Sequence, residues 1–180
     1  FGVLLKNTLD EAGIDTSNLK MDADVNTTLA FVHTFPDGDR EFSFYRNPGA
    51  DMKLTAGEVD AEFLKKARLF HFGTLSMTHD GVREATKKAL DIAKENGLLI
   101  SFDPNLRPQL WKDEKEMVRT LNSLAQEADL VLPGLSEGKI LTKRDTPEGI
   151  AEFYHERGVD SVIVKLGDKL SLIHISEPTR

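Results

Sequence analysis

Residues 98–108 read Leu98-Leu99-Ile100-Ser101-Phe102-Asp103-Pro104-Asn105-Leu106-Arg107-Pro108, an apolar run that hands over directly to an acid, an amide and an arginine. A buried strand that delivers such side chains at its carboxyl end is how an open α/β sheet builds a ligand site. Pro104 stops the strand and sets the turn, because its ring locks φ and removes a donor. Arg107 then offers a planar fork of donors that suits phosphate or carboxylate. Asp103 has a structural alternative, as the cap of a turn. The histidines carry less. His71 sits in an apolar strand and reads as a satisfied core residue rather than a base, and His33, His79 and His155 lack the spacing of metal ligands on one helix face. The run Lys112-Asp113-Glu114-Lys115-Glu116 reads as the exposed start of a helix.

The elements that must position these residues follow from periodicity and from Gly and Pro punctuation. Phe1 to Ala12 has Leu4, Leu5, Leu9 and Ala12 on one helical face, ended by Gly13. Thr28 to Phe35 and Glu41 to Arg46 alternate around Pro36-Asp37-Gly38-Asp39, with Phe42, Phe44 and Arg46 on one side, which predicts a β-hairpin. Alternation implies one wet face, so the hairpin is expected to lie outside the main sheet. From residue 57 short apolar strands alternate with helices: a helix over Glu58–Ala67, a buried strand Leu69–Phe72 closed by Gly73, a helix Asp80–Asn96, a strand Leu98–Phe102 and a helix Lys115–Ala128. A strand Leu130–Leu132 follows, then a helix capped by Ser136 and running through Leu141. A helix capped by Thr146 with Pro147 at its first position and a strand Val162–Lys165 complete the series. Such alternation predicts βαβ units and a mostly parallel, doubly wound α/β sheet.

Composition narrows the functional classes. The chain has 180 residues, 39% of them hydrophobic, and a formal charge of −7. That suffices for one ordinary core. Its basic residues are scattered, which argues against a nucleic-acid partner. Cysteine is absent, which excludes a disulfide scaffold and fits a reducing, cytoplasmic setting. No apolar run approaches the roughly 20 residues of a membrane span. The chain begins at Phe1 inside a mid-domain helix, so the true N-terminus is expected upstream. Residues 170–180 read as the translation of a transposase sequencing-library adapter and are expected to stand outside the fold; the alternative is a strand Ser171–Ile175 followed by a loop.

The segment Asp103-Pro104-Asn105-Leu106-Arg107 closely resembles the Asp-Pro-Asn-x-Arg motif of the ribokinase–fructokinase sugar kinases, the pfkB family. Other local matches stand in the family's order over residues 1 to about 169. Asn26 to Val32 and Phe42 to Asp51 are similar to lid segments of bacterial fructokinases, and His71 to Ser76 to the segment that ends the strand beneath the sugar. The resemblance implies a ribokinase-like core over residues 1–24 and 48–169, with a hairpin lid over residues 25–47. It implies phosphoryl transfer from ATP, with Mg²⁺ neutralising charge, to a sugar hydroxyl. Arg46 would reach from the lid to the sugar, Arg107 would approach the sugar or the transferred phosphoryl group, and Asp103 and Asn105 would shape the phosphate and metal side. Arg46 can equally sit on a solvated hairpin face. Ser136, Glu137, Lys165 and Gly167 fall in the nucleotide segments, with departures: Lys139 stands where the family has Glu three residues after Asn or Ser, and Lys165 replaces a hydroxyl residue. Ser136 also reads as an N-cap and Lys165 as an ordinary strand-end lysine. The lid's uncovered face, through Phe42 and Phe44, could pair two copies as a homodimer.

Two family segments are absent from the 180 residues: the Gly-Ala-Gly-Asp motif with the catalytic base, and the N-terminal strand with its sugar-binding Asp. The resemblance therefore implies a sugar kinase whose base lies outside this chain, and a chain inactive by itself. Fructose is the first substrate expected. Pro133 to Lys139 is also similar to relatives that act on 2-keto-3-deoxygluconate, whose carboxylate would pair with Arg46 and Arg107. From a different class comes a non-catalytic sugar-binding relative. A dehydrogenase-like protein is disfavoured, because no Gly-x-Gly-x-x-Gly turn follows a strand.

Overall fold

The computed structural model describes residues 1–36, 40–167 and 171–175. The first helix, α1 (Gly2–Glu11), ends as its glycine requires: Gly13 takes φ +76° and the Ile14 N–H returns to the Leu9 carbonyl at 3.0 Å. Its predicted apolar face is not buried, for Leu4 and Leu5 lie exposed. The hairpin is present as β1 (Leu29–Thr34) and β2 (Arg40–Tyr45), antiparallel with Leu29 opposite Tyr45 and Thr34 opposite Arg40. Asp37, Gly38 and Asp39 of its predicted turn lie outside the described residues. Alternation sends Val32, Phe42 and Phe44 to one face and Phe31, His33 and Tyr45 to the other. Phe31 and Tyr45 meet edge to face at 5.6 Å, and are 58% and 71% exposed.

Beyond a short helix α2 (Ala61–Leu64), the chain builds its main sheet. In order come β3 (Leu69–Gly73), α3 (Asp80–Glu95), β4 (Leu99–Asp103), α4 (Glu114–Ala125), β5 (Leu130–Val131), α5 (Leu135–Thr142), α6 (Pro147–His155), β6 (Ser161–Lys165) and β7 (Ser171–Ile175). The spatial order is β3-β4-β5-β6-β7. The first four are parallel, as the βαβ pattern predicts, and β7 is antiparallel to β6, with Ile163 opposite Ile173. The described part of residues 170–180 thus forms an edge strand.

The caps come from side chains that accept early N–H groups. Asp113 accepts from Lys115 and Glu116 before α4, and Thr146 accepts from Gly149 before α6, with Pro147 at the first helical position. Ser136 is not the cap of α5; Gly134 is the N-cap residue, and Glu137, at the third helical position, closes the turn onto its N–H at 2.7 Å. The helix starts at Leu135 because this carboxylate, longer than a serine hydroxyl, reaches back to the strand end.

One core holds these layers. Phe72, Ile100, Phe102, Val131, Val162 and Val164 project from one sheet face onto Leu90, Met117, Leu121, Ile150 and Tyr154 of the helices. The other face carries Leu69, His71, Leu99, Ile163, Ile173 and Ile175 and is largely open: Leu99 is 47% and Ile173 61% exposed. The prediction that Leu69–Phe72 is buried therefore holds for Phe72 alone on its inner face. His71 is likewise exposed rather than in the core, and its Nδ1 meets the Ser101 hydroxyl at 3.1 Å.

Candidate active site

All four parallel strands end at one rim, where an open α/β sheet receives ligands. Asp103 at the end of β4 and Lys165 at the end of β6 meet there at 2.7 Å. They can do so because β5, which lies between them, stops after Val131; the chain then turns at Pro133-Gly134, and the Lys165 N–H donates to the Pro133 carbonyl at 2.8 Å. The other Asp103 oxygen accepts the Asn105 N–H at 3.2 Å, so this aspartate is both a turn cap and the lysine's partner.

The turn after β4 is held from three sides. Asn105 adopts φ +34°, a conformation that asparagine tolerates better than most residues. Its carbonyl accepts from the buried Thr74 hydroxyl at 3.1 Å. The next amide, Leu106, donates to Glu137 Oε1 at 2.8 Å, while Glu137 Oε2 takes the Gly134 N–H. A single carboxylate thereby joins this turn to the first turn of α5. Arg107 emerges from the anchored backbone, donates from Nη1 to the Leu106 carbonyl at 2.6 Å, and lays its guanidinium over the Phe42 ring, 4.5 Å from the centroid.

Asp103, Asn105, Arg107, Glu137 and Lys165 are therefore brought together, and Gly167, at φ +66°, lies just beyond Lys165. Ser136 is exposed on the second helical residue of α5. With Gly134 at the N-cap, the acid three residues on is Glu137, so the Asn/Ser-x-x-Glu spacing expected at Ser136 and Lys139 falls instead on Gly134 and Glu137. Arg46 does not face open space. Its side chain is 6% exposed; it pairs with Asp51 at 2.6 Å, donates to the Thr78 hydroxyl at 2.7 Å and to the Leu75 carbonyl at 3.0 Å, and Asp51 also takes the Thr28 hydroxyl. It clamps the base of the hairpin to the segment after β3. Thr74 and Phe42 carry contacts to the Asp103–Arg107 turn that the sequence reading did not assign. The signal for Thr74 is its place directly after the glycine that closes β3; for Phe42 it is the alternation that sets it beside Arg46.

Residues 1–176 match the profile of the family described as pfkB family carbohydrate kinase. The chain belongs to the pfkB family. Within that family it is 40% identical over 166 residues to fructokinase-1 of Zea mays and, over the same length, to fructokinase-1 of Oryza sativa subsp. japonica, covering 92% of this chain and 48% of each relative. The chain thus spans about half the length of the fructokinases it matches. Among solved structures it superposes on a PfkB protein from Polaromonas sp. JS666 with a TM-score of 0.83 at 33% identity, covering 97% of this chain and 62% of that one. It superposes equally, at 0.83 and 26% identity, on a fructokinase with bound ATP from Xylella fastidiosa and on a Vibrio cholerae O395 fructokinase with fructose, ADP and calcium, each over 97% of this chain and 56% of the other. The observed fold, a mostly parallel α/β sheet with a separate two-stranded antiparallel hairpin, matches these neighbours.

Proposed function

We propose that the protein carrying this chain is an ATP-dependent sugar kinase that phosphorylates fructose to fructose 6-phosphate, and that these 180 residues do not turn over alone. The carrying observation is the convergence of Asp103, Arg107 and Lys165 at the rim of the parallel strands, beneath a hairpin that touches Arg107. Bound ATP supplies the phosphoryl group. Phosphoryl transfer depends on positioning and charge neutralisation, and the chain offers Arg107 for the phosphoryl oxygens and Lys165 with Gly167 for the nucleotide side. Asp103 holds Lys165 in place, Asn105 shapes the turn, and Glu137 fixes the turn against α5, where Ser136 lies at the first helical turn. The hairpin shields the site from water, which would otherwise accept the phosphoryl group.

Magnesium fits this rim as an ion carried by the nucleotide phosphates, not as one caged by protein. Among the described residues no group of three or more His, Cys, Asp or Glu converges, and the Asp103 and Glu137 oxygens already take a lysine and backbone N–H groups. A 2-keto-3-deoxygluconate substrate would need Arg46 as well as Arg107 for its carboxylate, and Arg46 is held by Asp51; this favours fructose. The setting proposed is the cytoplasm; among the described residues no helix is long and apolar enough to cross a membrane. Pairing of two copies through the lid remains part of the proposal, but its contacts move. Phe42 faces Arg107, and the exposed pair on the opposite face is Phe31 and Tyr45.

The test is to recover the full gene around this chain, express it, and assay ATP-dependent phosphorylation. Turnover on fructose well above that on 2-keto-3-deoxygluconate is expected, with none from residues 1–180 alone. Sugar binding without turnover by the full protein would replace the kinase with a non-catalytic relative.

A further inference from the structure

Arg107 is held in an unusual way for a surface arginine. Its guanidinium carbon stands over the Phe42 ring of β2, 4.5 Å from the centroid, and its Nη1 donates to the Leu106 carbonyl. Phe42 is itself backed by Phe44, the two rings lying 12° from parallel with centroids 6.1 Å apart. Among the described residues Arg107 has no carboxylate partner and no other hydrogen bond, in contrast to Arg46 and Lys165, each paired with an aspartate. A guanidinium held over a ring keeps its remaining N–H donors, here those not given to the Leu106 carbonyl, for gripping an anion. The backbone beneath is already anchored by Thr74, Asp103 and Glu137. The ring and the Leu106 carbonyl are therefore what restrain the side chain itself, and the ring is the restraint that comes from another element.

We infer that Phe42 is a positioning residue: it orients Arg107 to receive a phosphoryl-type anion. The inference rests on the reading of Arg107 as a phosphoryl ligand given above. It gives Phe42 a task separate from subunit pairing.

The experiment is side-chain NMR of Arg107 in the full protein that carries this chain, with inorganic phosphate titrated in and acetate as the comparison anion. Three variants are compared: Phe42→Leu, Phe42→Tyr and Phe44→Leu. In the parent, Arg107 resonances carry the shielding of a nearby ring and move on adding phosphate. Phe42→Leu is expected to abolish that shielding and weaken phosphate binding about fivefold, equivalent to about 1 kcal/mol and typical of an exposed cation–π contact. Phe42→Tyr keeps both properties. Phe44→Leu, which alters the same hairpin face without touching Arg107, leaves them within about twofold of the parent on that same scale. Unchanged shielding and affinity in Phe42→Leu would overturn the inference, as would an equal loss in Phe44→Leu. Arg107 resonances that respond more to acetate than to phosphate would overturn the phosphoryl assignment. If phosphate leaves Arg107 unmoved, the inference fails; turnover of the full protein on fructose would then show that the kinase reading survives without it.

Discussion

Glu137 shows how much one side chain can carry at this rim. Its two oxygens accept from Leu106 and Gly134, backbone donors on different segments, and among the described residues neither N–H makes another hydrogen bond. Glu137→Gln preserves volume but turns one acceptor into a donor facing an N–H. We expect a loss of about 1–3 kcal/mol in urea unfolding, the cost of leaving a shielded amide unpaired. Tyr154 presents the opposite case. Its hydroxyl is buried without a hydrogen-bond partner among the described residues, and burial, with the Glu137 charge second, pushes its pKa above the ordinary 10.0. A raised folded-state pKa means that the fold favours the neutral phenol. Its contribution is intact below pH 10.0 and is lost as pH rises further, because the unfolded chain ionises first. Tyr154→Phe should therefore flatten the alkaline decline in stability and gain up to about 1 kcal/mol at neutral pH. Urea midpoints on either side of the ordinary tyrosine pKa would show both effects.

At the scale of elements, the hairpin and the α5–α6 pair depend on single contacts. The hairpin's ends are tied to the core through Arg46, which joins Asp51, Thr78 and Leu75. Lysine cannot reproduce this planar fork. Arg46→Lys should raise amide exchange rates in β1 and β2 at least about tenfold, corresponding to roughly 1.4 kcal/mol, while β4 and β6 exchange as before. Equal acceleration throughout would mean that the clamp serves the whole fold rather than the hairpin. Between α5 and α6 the deciding residue is Gly138. Alanine is worth about 1 kcal/mol more than glycine in a helix interior. Here, however, a Cβ at position 138 would stand 2.7 Å from Ile150 Cδ1 and 2.9 Å from its Cγ2. Gly138→Ala should therefore destabilise the protein by about 1–3 kcal/mol despite the helical gain, read as a lower thermal midpoint.

At the scale of the molecule, the described residues cover the main sheet on one side only. Helices α3 to α6 bury one face, while Leu69, Leu99, Ile173 and Ile175 remain exposed on the other. Parallel sheets are as a rule covered on both faces, and this chain spans 48% of the maize fructokinase. A contiguous exposed apolar face of this kind promotes association. The 180-residue chain should bind a hydrophobic dye and self-associate with rising concentration in light scattering. Leu99→Lys with Ile173→Lys should reduce both severalfold without changing the far-ultraviolet spectrum. Phe31→Ser with Tyr45→Ser, on the exposed face of the hairpin, should lower self-association in the same light-scattering experiment where two copies pair through the hairpin as proposed, and leave it unchanged where they do not.

Most features that depend on neighbours in sequence were legible in the chain's letters, but the N-cap of α5 was not, since Glu137 reaches back to Gly134 where Ser136 was expected to cap. The alternation of Phe42, Phe44 and Arg46 marks a strand, Gly13 and Gly158 sit at the positive φ that ends helices, and Thr146-Pro147 starts one. The Asp103–Arg107 segment, with Pro104 halting an apolar run, announces the rim of the sheet. Tertiary structure alone decided what these side chains touch. Lys165 meets Asp103 across 62 residues of chain, and Glu137 reaches Leu106 across 31. Both pairs exist only because parallel strands bring their carboxyl ends to one edge. The same distinction explains Arg46, Phe42 and the open sheet face: periodicity determines which side of a strand a residue occupies, but packing determines whether that side meets a carboxylate, a guanidinium or solvent.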